Sequence, residues 1–204
     1  MDWFTLFLLL TIALYFLKAH AQKQRILLLA SFLGGTQIEK LMATLMDGYL
    51  RAAGEADPQR QEQIWGTLSG YEQQLCSQFQ RLADDFAQVP EERTRISTLP
   101  LALPYFERLL PAASFDMRAA LQLHAKALKA ACAQEGMTLS ERKAQAFCMT
   151  AELMLMQHSC HWFCKSRTVA SVRLMARHKT SYEQVLEAVA PQTRRAYKEL
   201  LKTA

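Results

Sequence analysis

The stretch AFCMTAELMLMQHSCHWFCKS, residues 146–166, decides the fold class of this chain. In a helix, successive side chains turn by about 100°, so the apolar groups of this stretch fall on nearly every face. Only Glu152, Ser159 and Ser166 line up as a narrow polar strip. A helix that is apolar all round has to be covered by its neighbours. The stretch therefore predicts a buried central helix with other helices packed around it.

Capping patterns predict where several helices begin. In the pattern T-x-x-E, the Thr hydroxyl and the Glu side chain each accept a backbone N–H from the first turn. The pattern occurs at Thr36 with Glu39, at Thr138 with Glu141 and at Thr180 with Glu183. The second of these starts the helix that contains the central stretch.

Other helix starts are marked by aspartate, serine and proline. Asp57 followed by Pro58 is typical of a helix N-terminus, where the Asp caps and the Pro needs no hydrogen bond. Ser114 is predicted to cap a helix that runs to about Gln134, and Pro191 to start the last helix. The helix after Pro58 is predicted to be long, because its apolar residues stay three or four positions apart. These residues are Ile64, Leu68, Tyr71, Leu75, Phe79, Leu82 and Phe86.

Residues 89–111 are predicted to connect two helical halves. Prolines at positions 90, 100, 104 and 111 exclude a long helix here. We expect short helical turns over Glu91–Ser97 and Pro104–Leu110, and no strand pattern of any length occurs. The apolar residues expected to be buried are Leu99, Leu101, Leu103, Tyr105 and Phe106.

The predicted fold class is all-α, with a single N-terminal transmembrane helix followed by a multi-helix, bundle-like cytoplasmic domain. Residues 1–35 are assigned to the membrane anchor and a juxtamembrane helix. Residues 36–110 are assigned to a first helical half with the Pro-rich connector, and residues 111–204 to a second helical half with a basic C-terminal end.

The anchor prediction depends on WFTLFLLLTIALYFL, Trp3–Leu17, which carries no charge and is at the short end for a spanning helix. Trp3 and Tyr15 suit the two membrane interfaces, and Lys18 can extend to the headgroups. A cleaved signal peptide is one alternative, because AHA at residues 19–21 resembles a cleavage site. Only Asp2 precedes the apolar run, however, whereas a signal peptide has a positive start. An apolar helix buried in a soluble fold or a partner is the other alternative.

The charges after the apolar run predict its orientation. Lys18, Lys23 and Arg25 all follow it, so the positive-inside rule places the N-terminus outside and the bulk of the chain in the cytoplasm. We expect a bacterial inner membrane. The second apolar patch, Ile26–Leu33, is too short to span and is predicted to begin the cytoplasmic core as the first helix continues, before Gly34 ends it.

Five cysteines in irregular spacing predict reduced thiols in a cytosol-like compartment. Cys160, His161 and Cys164 share one side of the central helix, and thiolate with imidazole suits Zn or Cu. A metal or redox site on these residues is therefore one hypothesis. Burial as packing residues is the favoured interpretation, because the C-x-x-C spacing of structural zinc sites is absent and Cys is among the most buried residue types.

The C-terminal part is strongly basic. Residues 165–204 contain nine Lys or Arg and three Glu, a net charge of +6, whereas the other 164 residues sum to −1. This asymmetry fits a solvated helical surface, attraction to anionic lipid headgroups, or an acidic protein or nucleic-acid partner, of which nucleic acid is disfavoured. The residues predicted to face the membrane or a partner are Lys18, Lys23, Arg25, Arg167, Arg173, Arg177, Lys179, Arg194, Arg195 and Lys198.

The chain lacks the common catalytic motifs, including the P-loop, G-x-G-x-x-G, H-E-x-x-H and G-x-S-x-G. We therefore expect a non-enzymatic, single-pass membrane-anchored adaptor or assembly component without a cofactor, which binds lipid through its N-terminal helix and recruits a protein partner. The alternatives are a metal-binding or redox-sensing helical domain and, more weakly, a nucleic-acid-binding protein.

Overall fold

The structure, a computed structural model, describes residues 2–100, 104–132 and 136–202, apart from the side chains of residues 108 and 109. The all-α prediction is confirmed. The helices are α1 (Trp3–Leu33), α2 (Ile38–Gly54), α3 (Pro58–Phe86), α4 (Phe106–Leu109), α5 (Met117–Ala131), α6 (Leu139–Cys164), α7 (Arg167–His178), α8 (Tyr182–Ala188) and α9 (Pro191–Lys202).

Local chemistry explains several of these helix starts. The Asp57 carboxylate accepts the Gln59 N–H at the start of α3, with Pro58 in the first turn. Thr138 and Glu141 form the predicted reciprocal capping box of α6. Pro191 begins α9. These three predictions are confirmed because each depends only on residues within one helical turn.

Two predicted capping boxes are wrong. The Thr36 hydroxyl donates to the Leu33 carbonyl and closes the end of α1, so α2 begins at Ile38 without a side-chain cap. At α8 the box is formed by Ser181 and Gln184, one residue after the predicted pair Thr180 and Glu183. The Thr180 hydroxyl donates instead to the His178 carbonyl.

A short antiparallel ribbon replaces part of the predicted connector. Strand β1 (Arg95–Ser97) pairs with strand β2 (Ser114–Asp116), with Ile96 opposite Phe115 and both side chains buried. Ser114 therefore lies in a strand, and Asp116 caps α5 by accepting the Arg118 N–H.

The rest of the connector follows the prediction in part. The expected turns correspond to a 3-10 turn at Glu91–Arg93 and to α4. The predicted burial of Leu101 and Leu103, and the predicted helix end at Gln134, lie outside the described residues.

Helix α6 is the predicted central helix. It packs against α1, α2, α5, α7 and α8, and buried side chains such as Met149, Leu153, Leu155 and Phe163 occur on all its sides. The polar strip is buried too. Glu152 accepts the Ala190 N–H at 3.1 Å, Ser159 contacts two other helices, and Ser166 caps α7.

Helix α1 has two contrasting halves. Every residue of Trp3–Leu17 is exposed, whereas Leu29 is buried and Leu28, Phe32 and Leu33 pack against the core. Within the described ranges, α1 is the one helix long and apolar enough to cross a membrane. It runs without interruption from the apolar segment into the helical body and ends at Gly34, as predicted.

Candidate membrane-facing site

Two hydrogen bonds fix the end of α6 beside α1. The Gln22 amide donates to the Lys165 carbonyl at 3.4 Å, and the Lys165 ammonium donates to the Gln22 Oε1 at 3.2 Å. Gln22 lies five residues after Leu17, which is about 7.5 Å along the helix axis. The junction between α6 and α7, residues 164–168, therefore lies close to the end of the apolar segment. We call these residues the α6–α7 corner.

Hydrogen bonds to the connector hold the α6–α7 corner in place. The Thr168 N–H and hydroxyl both donate to the Pro100 carbonyl, at 3.2 and 2.8 Å. The Trp162 indole donates to the Ser97 carbonyl at 3.1 Å. Because these acceptors are backbone carbonyls at and just after the end of β1, the corner has a defined position relative to the connector.

Arg25 is used inside the protein. Its guanidinium pairs with Glu107 at 2.6 Å, with 17% and 8% of the two side chains exposed. It also donates to the Arg95 carbonyl at 3.2 Å and lies 5.8 Å from the centre of the Phe163 ring. Although the sequence grouped Arg25 with the membrane or partner surface, the structure places it where it joins α1 to the helical body.

The other predicted cations divide into two groups. Arg194 and Lys198 both pair with Glu187 on α8. Within the described part of the chain, the others have no carboxylate within 4.0 Å. These are Lys18, Lys23, Arg167, Arg173, Arg177, Lys179 and Arg195. Sequence alone gave no means of separating the two groups, because the pairing depends on how α8 and α9 pack.

The end of the body next to the apolar segment of α1 has two electrostatically different sides. On the ribbon side, Arg95 pairs with Glu91 at 2.8 Å, and Arg118 pairs with Asp116 at 2.7 Å. On the side of the α6–α7 corner, Lys165 and Arg167 have no such partner among the described residues. The ribbon side is therefore largely neutralised, and the corner retains its positive charge.

Cys160, His161 and Cys164 line a mostly apolar cavity of about 210 Å³ between α1, α2, α3 and α6. Burial raises the pKa of Cys160 to about 12 and that of Cys164 to about 11. Burial and the nearby Arg173 and Arg177 lower the pKa of His161. Within the described ranges, no three His, Cys, Asp or Glu residues are placed to hold a metal ion. Protonated thiols beside apolar side chains favour packing over metal or redox chemistry.

A buried polar network escaped the sequence analysis. Nε2 of His124 on α5 lies 2.9 Å from the Ser159 hydroxyl on α6, which lies 2.9 Å from the Tyr197 hydroxyl on α9. His158 contacts the Ser171 hydroxyl at 3.1 Å and stacks on Tyr182 at 4.6 Å. Burial lowers the pKa of both His124 and His158 to about 3, so both are neutral at pH 7. The polar strip of α6 was the one sequence signal that pointed to this network.

An apolar groove between α2 and α6 was also missed. Leu50 and Phe147 are 76% and 67% exposed on its two sides, and Trp65 lies at its base. The groove has a volume of about 630 Å³, and Lys143 and Arg177 also line it. Large exposed apolar side chains facing a groove are typical of surfaces that bind proteins.

Comparison with known proteins gives no family assignment: no family model, curated protein or solved structure is significantly similar to this chain.

Proposed function

We propose that this protein is a non-enzymatic, single-pass membrane-anchored adaptor that recruits a protein partner at the cytoplasmic face of a bacterial inner membrane. One observation carries the proposal. The apolar half of α1 has no covering residue within the described chain, and the same helix continues into the core of the body. A water-soluble protein would leave that apolar surface exposed to solvent at a large free-energy cost, whereas a bilayer solvates it.

The rigid connection supports an adaptor rather than a loosely tethered domain. A flexible linker would let the body move freely, but here Gln22, Arg25 and Leu29 hold α1 against the body within four helical turns of the apolar segment. The body is thereby held at a fixed height and orientation. Such an arrangement suits a protein that presents a binding surface at a defined distance from the membrane.

Charge supports the orientation. Lys18 and Lys23 follow the apolar segment, and the fold adds Lys165 and Arg167 to the same end. Only Asp2 carries a side-chain charge before the segment. Positive charge near one end of a span favours the cytoplasmic side for that end.

The groove between α2 and α6 supports the recruitment of a protein. Phe147 precedes Lys165 by 18 residues on α6, which corresponds to about 27 Å along the helix and away from the membrane-proximal end. A peripheral or soluble partner can reach this depth without entering the headgroup layer. The groove presents the exposed apolar side chains that anchor a partner helix.

The anchor is tested by membrane fractionation of the full chain. We expect the protein to stay in the membrane pellet after washing with high salt or alkaline carbonate, and to be released only by detergent. In spheroplasts, an N-terminal tag should be accessible from the periplasmic side and a C-terminal tag should be protected. Release by salt, or the opposite tag accessibility, contradicts the proposal.

The partner surface is tested by photocrosslinking in membranes from a crosslinking residue at Ala43, on the edge of the groove. We expect a discrete crosslinked product that is lost in the Leu50→Asp, Phe147→Asp variant. The control variant Gln59→Asp, Gln63→Asp adds the same charges to the exposed face of α3 and should leave the product unchanged. No product, or a product insensitive to both variants, contradicts recruitment through this groove.

A further inference from the structure

We propose that Lys18, Lys23, Lys165 and Arg167 form a binding surface for the phosphate headgroups of anionic lipids. We call these four residues the basic collar. The inference rests on the proposed membrane anchor, and it identifies a lipid class that the anchor alone does not require. An apolar helix crosses a bilayer of any headgroup charge, whereas the basic collar selects negative headgroups.

The fold brings together cations that are far apart in sequence. Lys165 is tied to Gln22 by two hydrogen bonds across 143 residues. Lys18 lies one helical turn before Gln22 on the same face of α1, and its side chain is partly covered rather than fully exposed. Lys18 therefore lies on the side of α1 that faces the α6–α7 corner. Lys23 follows Gln22 directly and is exposed.

Within the described chain, the four cations are not paired with carboxylates, although Lys165 and Arg167 are half-buried. None has a carboxylate within 4.0 Å among residues 2–100, 104–132 and 136–202. The Lys165 ammonium donates to a neutral amide, which leaves its charge uncompensated. The Arg167 guanidinium lies over the rings of Trp162 and Tyr182, at 5.5 and 5.2 Å from their centres. These rings orient Arg167 and do not neutralise it.

Acidic residues at the same end do not cancel the basic collar. Glu107 is paired with Arg25, and Glu91 is paired with Arg95 and Arg118. The basic collar thus keeps uncompensated cations near the end of the apolar segment, while Glu107 and Glu91 on the ribbon side already have partners.

The height of the basic collar matches the headgroup layer. Lys18 directly follows the apolar segment, and Gln22, which marks the level of Lys165, lies about 7.5 Å further along the axis. The polar layer on each side of a bilayer is about 5–8 Å thick. Phosphate groups at this depth meet Lys and Arg side chains in an environment less screened than bulk water. Each cation near such a surface strengthens binding by about fivefold.

The test uses the full chain reconstituted in phosphatidylcholine vesicles that contain a minor fraction of phosphatidylglycerol. Spin-labelled versions of the two lipids report, by electron spin resonance, how strongly each is retained at the protein surface. We expect phosphatidylglycerol to be preferred at low salt and the preference to fall as salt is raised. In the Lys165→Gln, Arg167→Gln variant, we expect the preference to fall by about 25-fold or to disappear.

Matched variants separate charge placement from total charge. Arg142→Gln, Lys143→Gln removes the same charge near the other end of α6, about 33 Å from Lys165 along the helix, and should keep the preference. Arg167→Lys keeps the charge and should retain most of the preference for phosphatidylglycerol. Because Arg167 also contacts two rings, the Lys18→Gln, Lys23→Gln variant gives an independent loss of two cations that leaves the corner intact.

The outcomes distinguish this inference from the proposed function. A chain that fails to enter vesicles contradicts the membrane anchor itself. A chain that enters vesicles but shows equal retention of both lipids, or the same preference in every variant, contradicts only the basic collar. Soluble glycerol phosphate that displaces phosphatidylglycerol at similar concentrations points to a free phosphate ligand and also overturns the lipid assignment.

Discussion

Helices α1 and α6 carry apolar side chains on all their faces, yet only one of them is covered by protein. Helices on all sides pack against α6, whereas Trp3–Leu17 of α1 is exposed at every residue. An apolar surface on all sides signals that a helix has to be removed from water. The same signal therefore does not say whether protein or lipid covers the helix.

Hydroxyls satisfied within the same helix occur in both, as where the Thr150 hydroxyl of α6 donates to the Ala146 carbonyl at 2.8 Å. In the apolar segment of α1, the Thr11 hydroxyl donates to the Phe7 carbonyl of the same helix at 2.9 Å. Helix α6 differs in that it also has polar partners elsewhere in the protein, as where Glu152 accepts a backbone N–H that follows α8. A helix in lipid has to satisfy its polar groups internally, because no water or neighbouring chain is at hand.

The same charge placed in the middle of each helix should have opposite effects. Leu10→Arg costs about 3 kcal/mol of membrane insertion, and we expect the protein to move to the soluble or aggregated fraction with its helical body folded. Leu155→Arg buries an unpaired charge in the core, and we expect the body to unfold while the chain stays in the membrane. Fractionation and circular dichroism in detergent measure the two effects. If Leu10→Arg unfolds the body, α1 is covered by protein and the comparison fails.

Truncating one phenylalanine in each helix gives a finer test. Phe163 is fully buried in the core, so Phe163→Ala should lower the free energy of unfolding by about 3–5 kcal/mol. Phe7 is 69% exposed, and Phe7→Ala should change the same quantity by less than about 0.5 kcal/mol. Denaturant unfolding in detergent micelles measures both. Similar losses for the two variants would mean that the apolar half of α1 contributes to the core of the body.

The buried histidines around α6 should make stability depend on pH. Burial holds the pKa of His124 and of His158 near 3, below the value of about 6.5 expected in the unfolded chain. The unfolded state therefore binds more protons below pH 6.5. The free energy of unfolding is therefore highest, as far as these two histidines are concerned, above pH 6.5. It falls as pH is lowered towards 3, by up to about 1.4 kcal/mol per pH unit for each histidine.

Unfolding measurements between pH 6.5 and pH 5 check this dependence. The His124→Gln and His158→Gln variants should each have a shallower slope than the parent protein, whatever their stability at neutral pH. The control is Gln24→Ala, a non-titrating substitution at an exposed position on α1, which should keep the parental slope. Equal slopes in all four proteins would contradict the neutral, buried state of the two histidines.

The smallest expected effect concerns the start of α6. Thr138→Ala removes a capping box in which both side chains satisfy backbone N–H groups, and it should cost about 1 kcal/mol. Thr36→Ala, at a position with the same sequence pattern but no N-terminal cap, should cost clearly less. Thermal unfolding of the two variants measures both losses of stability. A larger loss for Thr36→Ala than for Thr138→Ala would contradict the capping assignments.

The failed predictions share a physical cause. Strands β1 and β2 have three residues each and pair across about 20 positions, so no local alternation reveals them. At α8 two overlapping capping patterns compete, Thr180 with Glu183 and Ser181 with Gln184, and the packing of Tyr182 into the core favours the second. In each case the local sequence allowed more than one structure, and contacts between residues distant in sequence selected the one that forms.

The candidate membrane-facing site was predictable only in part. The apolar segment and the cations after it are visible in the sequence because they are contiguous. Arg25 is indistinguishable there from Lys23, although one is paired inside the body and the other is exposed. Likewise, nothing local indicates that Lys165 lies beside Gln22.

By itself the sequence determined the all-α fold class, the central helix and a helix apolar enough to cross a membrane. These properties follow from side-chain chemistry repeated along a single helix, which the chain order fixes. The tertiary structure decided which cations are paired with carboxylates, which histidines are buried in the neutral form, and where an apolar groove opens. Those outcomes depend on which groups pack within a few ångströms of one another, and that proximity arises only when helices distant in sequence come together.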